Sequence, residues 1–86
     1  MRYVYILKSK ESDRYYIGES SNVERRLLEH KEGKTAFGKR NAGLTVVYQK
    51  AYSNRSEAKK LESFLKQRKS HRFINKLINR EITAPL

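Results

Sequence analysis

The chain of 86 residues contains no cysteine, no tryptophan, one proline and four glycines. The lack of cysteine excludes disulfide bridges, zinc sites built on thiolates and cysteine nucleophiles. No hydrophobic run approaches the ~18 residues that a membrane-spanning helix needs. The early apolar run 4–7 is also too short for a signal peptide. We therefore expect a cytoplasmic protein that does not associate with membranes and that folds by packing alone.

Acidic residues are also scarce. Nine Asp and Glu stand against 20 Lys and Arg, which gives a formal net charge of +11. The length corresponds to one small domain, and a charge of this size attracts polyanions. Nucleic acid is the first candidate partner, ahead of ribosomes, acidic proteins and anionic membranes. Charge alone does not separate these partners.

The first half of the chain predicts a β-hairpin followed by a helix. Residues 3–7 and 15–18 are rich in β-forming side chains and flank the polar stretch 8–14. Ser21 and Glu24 have the spacing of a capping box, so a helix is expected from there to Gly33. The basic, glycine-containing stretch 33–43 is predicted to be an exposed loop.

The second half predicts a third strand and two helices. Residues 44–48 form a β-rich run that can extend to Tyr52. A capping box at 54–57 opens a helix to residue 69, and Ser70 can cap a third helix to residue 80. The order β-β-α-β-α-α indicates an α+β fold with a small three-stranded antiparallel sheet flanked by helices. We expect residues 1–80 to form a single domain and 81–86 a C-terminal tail.

Two of the predicted helices carry polar side chains beside their apolar stripes. At 100° per residue, Arg26 and His30 share one arc with the apolar residues of the first helix. Glu62 lies at the edge of the apolar arc of the second helix. Taken alone, Arg26 can snorkel to solvent and His30 can be a structural core residue. Glu62 taken alone reads as an exposed carboxylate paired with Lys66.

Four tyrosines crowd the predicted hairpin. Tyr3 and Tyr5 lie on the same face of their strand, whereas Tyr15 and Tyr16 face opposite ways. Cross-strand packing is the ordinary role of aromatic side chains in small sheets. A buried tyrosine hydroxyl nevertheless needs a hydrogen-bond partner. A structural role and a chemical role therefore both stay open at this point.

The order of these residues resembles the GIY-YIG nuclease superfamily, and within it small single-domain proteins related to the nuclease domain of UvrC. The matching segments are Tyr3-Val4-Tyr5, the run from Tyr16-Ile17-Gly18 through Arg26 to His30, and the helix that carries Glu62. The resemblance covers residues 2–78. It departs from the family name at Tyr3, which stands in place of glycine. Each tripeptide is weak evidence, but their combined order and spacing is specific.

The resemblance implies hydrolysis of a DNA phosphodiester with one divalent ion, Mg²⁺ or Mn²⁺. The planar fork of an arginine suits a phosphate, and one carboxylate can be enough for Mg²⁺. Tyr5 is the preferred base candidate with support from His30, and Tyr16 is a second contact to water or phosphate, although the residues alone do not assign the base. The implied catalytic residues are Tyr5, Tyr16, Arg26, His30 and Glu62, with Glu62 as the metal ligand; Tyr3, Gly18 and Asn75 are additional candidates.

The basic residues support a polyanionic substrate. Phosphate contacts position a protein without reading sequence, so we expect low intrinsic sequence specificity, with repair or recombination as the process and a protein partner as a source of specificity. RNA is not excluded, and the oligomeric state stays open. The alternatives are a catalytically inactive nucleic-acid-binding domain and a basic protein-interaction module. The candidate nucleic-acid contacts are Lys34, Lys39, Arg40, Lys66 and Lys69.

Overall fold

The computed structural model describes residues 1–68 and 70–85, and within them it contains three strands and four helices. The elements are β1 (Arg2–Ser9), β2 (Tyr15–Ser20), α1 (Val23–Lys31), α2 (Ala36–Arg40), β3 (Leu44–Tyr52), α3 (Arg55–Arg68) and α4 (His71–Ile78). The predicted α+β class and its order β-β-α-β-α-α are confirmed, with α2 as a further helix. The division into a domain 1–80 and a tail 81–86 stays a prediction.

The three strands form one antiparallel sheet in the order β2-β1-β3. The central strand β1 places Tyr5 opposite Gly18 on β2 and opposite Gln49 on β3. The pairing with β3 shifts register between Ile6 and Leu7. Because β1 is central and its side chains alternate, its residues are buried on both faces of the sheet.

One face of the sheet is covered by α3 and α4 and is apolar. Val4 and Ile6 of β1 pack there with Leu61 and Leu65 of α3 and with Leu77 of α4, and all five are buried. Full burial of an aliphatic side chain contributes ~1.5–3 kcal/mol. This face therefore supplies most of the hydrophobic stabilisation of a small domain.

The opposite face is covered by α1. Tyr5 and Leu7 of β1 pack there with Val23, and Tyr16 and Leu27 lie partly buried beside them. This apolar cluster is smaller, and it includes the two tyrosines that the sequence singles out. The helix that closes it begins at the cap residue Asn22, whose side chain accepts a hydrogen bond from the Arg25 amide. The expected cap at Ser21 is thus displaced by one residue.

The expectation of an exposed loop at 33–43 is wrong in part, because α2 forms within it. The Thr35 hydroxyl caps this helix by accepting a hydrogen bond from the Gly38 amide at 3.0 Å. A side chain at Gly38 would overlap the carbonyl oxygen of His30, so the glycine lets α2 lie against the end of α1. A helix of five residues that buries none of its own side chains has no periodic apolar pattern in its sequence from which it could be predicted.

The remaining helix limits agree closely with expectation. The Asn54 side chain accepts a hydrogen bond from the Glu57 amide, and Ser70 accepts one from the Phe73 amide, as the capping patterns predict. Helix α4 ends at Ile78, two residues earlier than expected. The predicted end of the preceding helix at residue 69 lies outside the described residues. No described helix has the length and hydropathy needed to cross a membrane.

Candidate active site

Tyr5 occupies the centre of the α1-facing side of the sheet. Its side chain is almost completely buried and lies over Gly18, its cross-strand partner. A Cβ atom at position 18 would come within 2.5 Å of the Tyr5 hydroxyl. Gly18 is therefore required because it makes room for the phenol of Tyr5. The group that approaches this glycine closely is thus a side chain.

His30 joins α1 to this tyrosine. The imidazole is fully buried, and its Nε2 lies 3.4 Å from the Tyr5 hydroxyl. Its Nδ1 lies 2.6 Å from the hydroxyl of Thr35 at the start of α2. Burial lowers the pKa of His30, and the charge of Arg26 lowers it further. The ring is therefore neutral at neutral pH, and one of its nitrogens is able to accept a proton.

Burial also decides the protonation state of Tyr5. It raises the pKa of Tyr5 to about 12; the neighbouring Tyr16 also raises it, whereas Arg26 acts in the opposite direction. Tyr5 is thus a neutral phenol at neutral pH. It can act on water only if its own proton has a nearby acceptor, and the His30 ring is positioned to be that acceptor.

Arg26 brings positive charge to both tyrosines. Its guanidinium interacts with the hydroxyls of Tyr5 and Tyr16 and donates a hydrogen bond to Glu29 at 2.9 Å. That carboxylate raises the pKa of Arg26 further, so the group stays charged. The side chain is 38% exposed. A phosphate from solvent can therefore reach its planar fork of donors in place of Glu29.

Three aromatic rings, including that of Tyr5, surround the imidazole. The centroid of the Tyr16 ring lies 4.6 Å from that of His30, and Phe37 of α2 lies 5.2 Å from Tyr16. Tyr5 lies 6.2 Å from Tyr16 with its ring tilted. Sequence reasoning missed Phe37 and Thr35, because both lie in the segment predicted to be a loop. The only available signal was Thr35, a good capping residue ahead of a short run.

Glu62 lies on α3, the helix on the other side of the sheet, and is nearly buried. Its charge adds to the raised pKa of Tyr5, after burial and the neighbouring Tyr16. The two carboxylate oxygens lie 3.1 Å from the ammonium groups of Lys59 and Lys66. The pairing with Lys66 is confirmed. The interpretation of Glu62 as an exposed edge residue is wrong, because only 7% of it is exposed.

Glu62 has the donor chemistry of a magnesium ligand. The described residues contain no group of three or more His, Asp and Glu side chains that could enclose a metal. Mg²⁺ retains several waters and usually takes one or two carboxylates together with substrate phosphate oxygens. A single, nearly buried carboxylate fits that pattern. Lys59 and Lys66 compete for the same oxygens, so a cation that binds there displaces at least one of them.

Of the additional candidates, Tyr3 lies near this group and Asn75 lies away from it. Tyr3 is half-buried on the same face as Tyr5 and packs against the apolar cluster. Asn75 is exposed on α4, and its side-chain oxygen accepts a hydrogen bond from the Tyr15 hydroxyl. The structure therefore brings Asn75 to Tyr15 and not to the Tyr5–His30 pair.

The candidate nucleic-acid contacts fall on two sides of the site. Lys39 and Arg40 are exposed on α2, the helix that carries Phe37. Lys34 precedes them and pairs with Glu32 at 3.2 Å. Lys66 lies on α3 against Glu62. Lys69 lies outside the described residues.

The fold and this group of residues define a known class of catalytic domain. Residues 1–77 match the model of the GIY-YIG catalytic domain, and the chain belongs to that family. The family is a nuclease family, and its members generally use divalent metals and act on nucleic acid. The predicted family is thereby confirmed.

Several bacterial relatives share most of the chain. A UPF0213 protein of Staphylococcus haemolyticus is 40% identical over 74% of this chain and 78% of its own length. One from Oceanobacillus iheyensis is 41% identical over 76% of each chain. The solution NMR structure of a UPF0213 protein from Bacillus halodurans is 33% identical and matches with a TM-score of 0.56, covering 92% of this chain and 84% of that chain. This neighbour supports the same three-stranded α+β fold.

Proposed function

We propose that this protein is a divalent-metal-dependent endonuclease that hydrolyses DNA phosphodiester bonds with low intrinsic sequence specificity. The observation that carries the proposal is the buried hydrogen-bonded chain from Tyr5 through His30 to Thr35, which meets Arg26 and lies within electrostatic reach of Glu62. Apolar side chains could fill the same space without desolvating any polar group, so the choice of a buried polar chain favours a chemical role.

The phosphate is held by positive charge. In this proposal Arg26 exchanges Glu29 for the scissile phosphate and binds it through its guanidinium fork. Lys39, Arg40 and Lys66 neutralise neighbouring phosphates, since all three are exposed close to the site. A divalent ion held by Glu62 would polarise the phosphoryl oxygen and stabilise the departing oxygen.

The attacking water loses its proton to Tyr5. As the phenol oxygen of Tyr5 accepts that proton, its own proton passes to Nε2 of His30, 3.4 Å away. The imidazole becomes protonated, and the phenol stays neutral overall. This relay avoids a free phenolate, which the raised pKa of Tyr5 makes costly. The Thr35 hydroxyl holds Nδ1 and orients the ring for the transfer.

The decisive experiment is cleavage of labelled duplex, flap and branched DNA, and of RNA, with Mg²⁺ or Mn²⁺. We expect metal-dependent cleavage that Glu62→Gln, Arg26→Ala and Tyr5→Phe each reduce by ~10²-fold or more. Arg25→Ala and Glu24→Gln are the matched controls, because both residues are exposed on α1 and should leave cleavage unchanged. Cleavage that survives the first three substitutions would overturn the site.

The second candidate is an inactive domain that binds nucleic acid through the same basic surface. The net charge of +11 favours it as strongly as it favours the enzyme. Salt-sensitive binding of DNA without cleavage of any substrate, unchanged by Glu62→Gln, would support it. A basic protein-interaction module would instead bind its partner after nuclease treatment of a lysate.

We further propose that a protein partner directs the enzyme in DNA repair or recombination.

A further inference from the structure

A pocket lies next to the catalytic group, between the edge strand β2 and helices α3 and α4. It has a volume of about 330 Å³, and three aliphatic side chains contribute to it: Ile17, Leu65 and Ile74. Tyr15 and His71 also line it, with ring centroids 5.2 Å apart in an edge-to-face arrangement. The mechanism above makes no use of this pocket.

Two residues belong both to the pocket and to the catalytic group. Tyr16 lines the pocket, and its ring packs on His30. Lys66 also lines it, and the ammonium of Lys66 lies 3.1 Å from a carboxylate oxygen of Glu62. Lys66 therefore places the pocket beside Glu62, the carboxylate to which the proposed function assigns the metal and the scissile phosphate. A nucleotide next to that phosphate can then reach the pocket, and Lys66 can neutralise the phosphate between the two.

The chemistry of the pocket suits a flat heterocycle. Aliphatic side chains accept the face of a base, and aromatic side chains stack on bases with little regard to sequence. The Tyr15 ring is held in place because its hydroxyl donates to Asn75 and because Lys8 lies 5.6 Å from its centroid. Ser70 also lies on the lining, and its hydroxyl, which accepts a hydrogen bond from the Phe73 amide, still has a proton to donate. The high positive charge of the chain favours a polyanion over a neutral peptide as the occupant.

We propose that this pocket, bounded by Tyr15, His71 and Leu65, is a subsite for one unstacked nucleobase adjacent to the scissile phosphate. A base in an intact duplex must leave its stack to enter, so the subsite favours substrates with an unpaired nucleotide at that position. The inference rests on the proposed function for the identity of the substrate. Its test is a binding measurement without metal, which is independent of cleavage.

The experiment uses a fluorescent single-stranded oligonucleotide, the same oligonucleotide with abasic positions, and one that carries 2-aminopurine. We expect His71→Ala and Tyr15→Leu to weaken binding of the intact oligonucleotide by ~5–100-fold, which corresponds to the loss of one stacked base. Binding of the abasic oligonucleotide should change less than twofold. The 2-aminopurine fluorescence should be quenched by the wild type and not by these variants. Tyr15→Phe keeps the ring and should restore quenching.

The outcomes separate the subsite from the enzyme. Equal losses for intact and abasic oligonucleotides would overturn the subsite, because the residues would then act on the backbone or on folding alone. His71→Ala guards against the latter, since His71 is exposed. Base-dependent binding without cleavage would uphold the subsite and overturn the nuclease. Cleavage with no dependence of binding on the base would uphold the nuclease and overturn the subsite. A failure to bind any oligonucleotide would overturn both proposals.

Discussion

The two faces of the same sheet bury different kinds of side chain. Val4 and Ile6 lie on the α3 face in an apolar cluster, whereas Tyr5, the residue between them, lies on the α1 face in a hydrogen-bonded chain with His30. The alternation of a single strand therefore separates an apolar core from a buried polar chain. The apolar face supplies most of the hydrophobic stabilisation, while the hydrogen bonds of the polar face offset the cost of burying its polar groups.

The largest loss of stability is expected from a substitution on the apolar face. Leu61 is completely buried against β1, so Leu61→Ala should lower the free energy of unfolding by ~2–5 kcal/mol. Urea denaturation followed by circular dichroism measures the change. Leu28→Ala is the control because Leu28 is 54% exposed, and it should change stability by no more than ~0.5 kcal/mol. Equal effects of the two substitutions would contradict the assignment of the core.

On the polar face, a substitution at Gly18 should reduce stability. A methyl group there meets the Tyr5 ring, so Gly18→Ala should lower the free energy of unfolding by ~1–3 kcal/mol and displace the phenol. Denaturation and DNA cleavage are measured together. In the Tyr5→Leu background the same substitution should cost less, because the atoms that it meets are gone. Additive losses in the double variant would show that the two residues do not interact.

Tyr5 should also make stability depend on alkaline pH. Its pKa is raised to about 12, so the unfolded chain releases this proton from pH ~10, before the folded protein does. The contribution of Tyr5 is complete below pH ~10 and is lost as the pH rises through about 12, on the order of 2 kcal/mol in all. Tyr48 and Tyr52 act in the same direction, since their pKa values are also raised. Denaturation of Tyr5→Phe from pH 9 to 12 should therefore show a shallower loss, and an unchanged slope would contradict the prediction.

His30 should produce a smaller effect at acid pH. Burial lowers its pKa, so the unfolded chain takes up the proton near pH ~6.5 while the folded ring stays neutral. Stability from this residue is present above that pH and falls as the pH decreases through the lowered pKa of the folded protein. His30→Gln should flatten the profile between pH 7 and 5. Direct titration of the ring by NMR is the second measurement, and a pKa at or above ~6.5 would be inconsistent with a neutral buried ring.

The smallest effect is expected at Glu62 of α3, whose carboxylate is paired with two lysines. Lys59→Met removes one ammonium group that competes with a cation for Glu62, so Mn²⁺ should bind severalfold more tightly. Electron paramagnetic resonance of free Mn²⁺ measures this without any substrate. Lys60→Met is the matched control, an exposed neighbour of Lys59. Identical changes in both variants would reflect net charge alone, and Glu62→Gln should abolish the site.

The residues of the apolar face could be predicted from the sequence, whereas those of the polar face could be predicted only in part. Val4, Ile6 and the periodic leucines of α3 follow the periods of strand and helix, which local sequence encodes directly. Arg26 and His30 were found because they share a helical arc with apolar residues. Thr35 and Phe37 could not be predicted because α2 is positioned by contacts with α1 and Tyr16. Such tertiary contacts produce no periodic pattern in the sequence. Whether the residues at the site are catalytic stays a prediction.

The contact between α2 and the end of α1 also sets a limit on redesign. The segment 33–43 looks like surplus length that a smaller version of the domain could omit, since α2 buries none of its own side chains. Yet Thr35 holds the imidazole of His30, and Gly38 lets the helix approach closely enough for it to do so. Shortening this segment would remove the hydroxyl that holds Nδ1 of His30. A shortened version should therefore be judged by the orientation of one ring and not by its melting temperature.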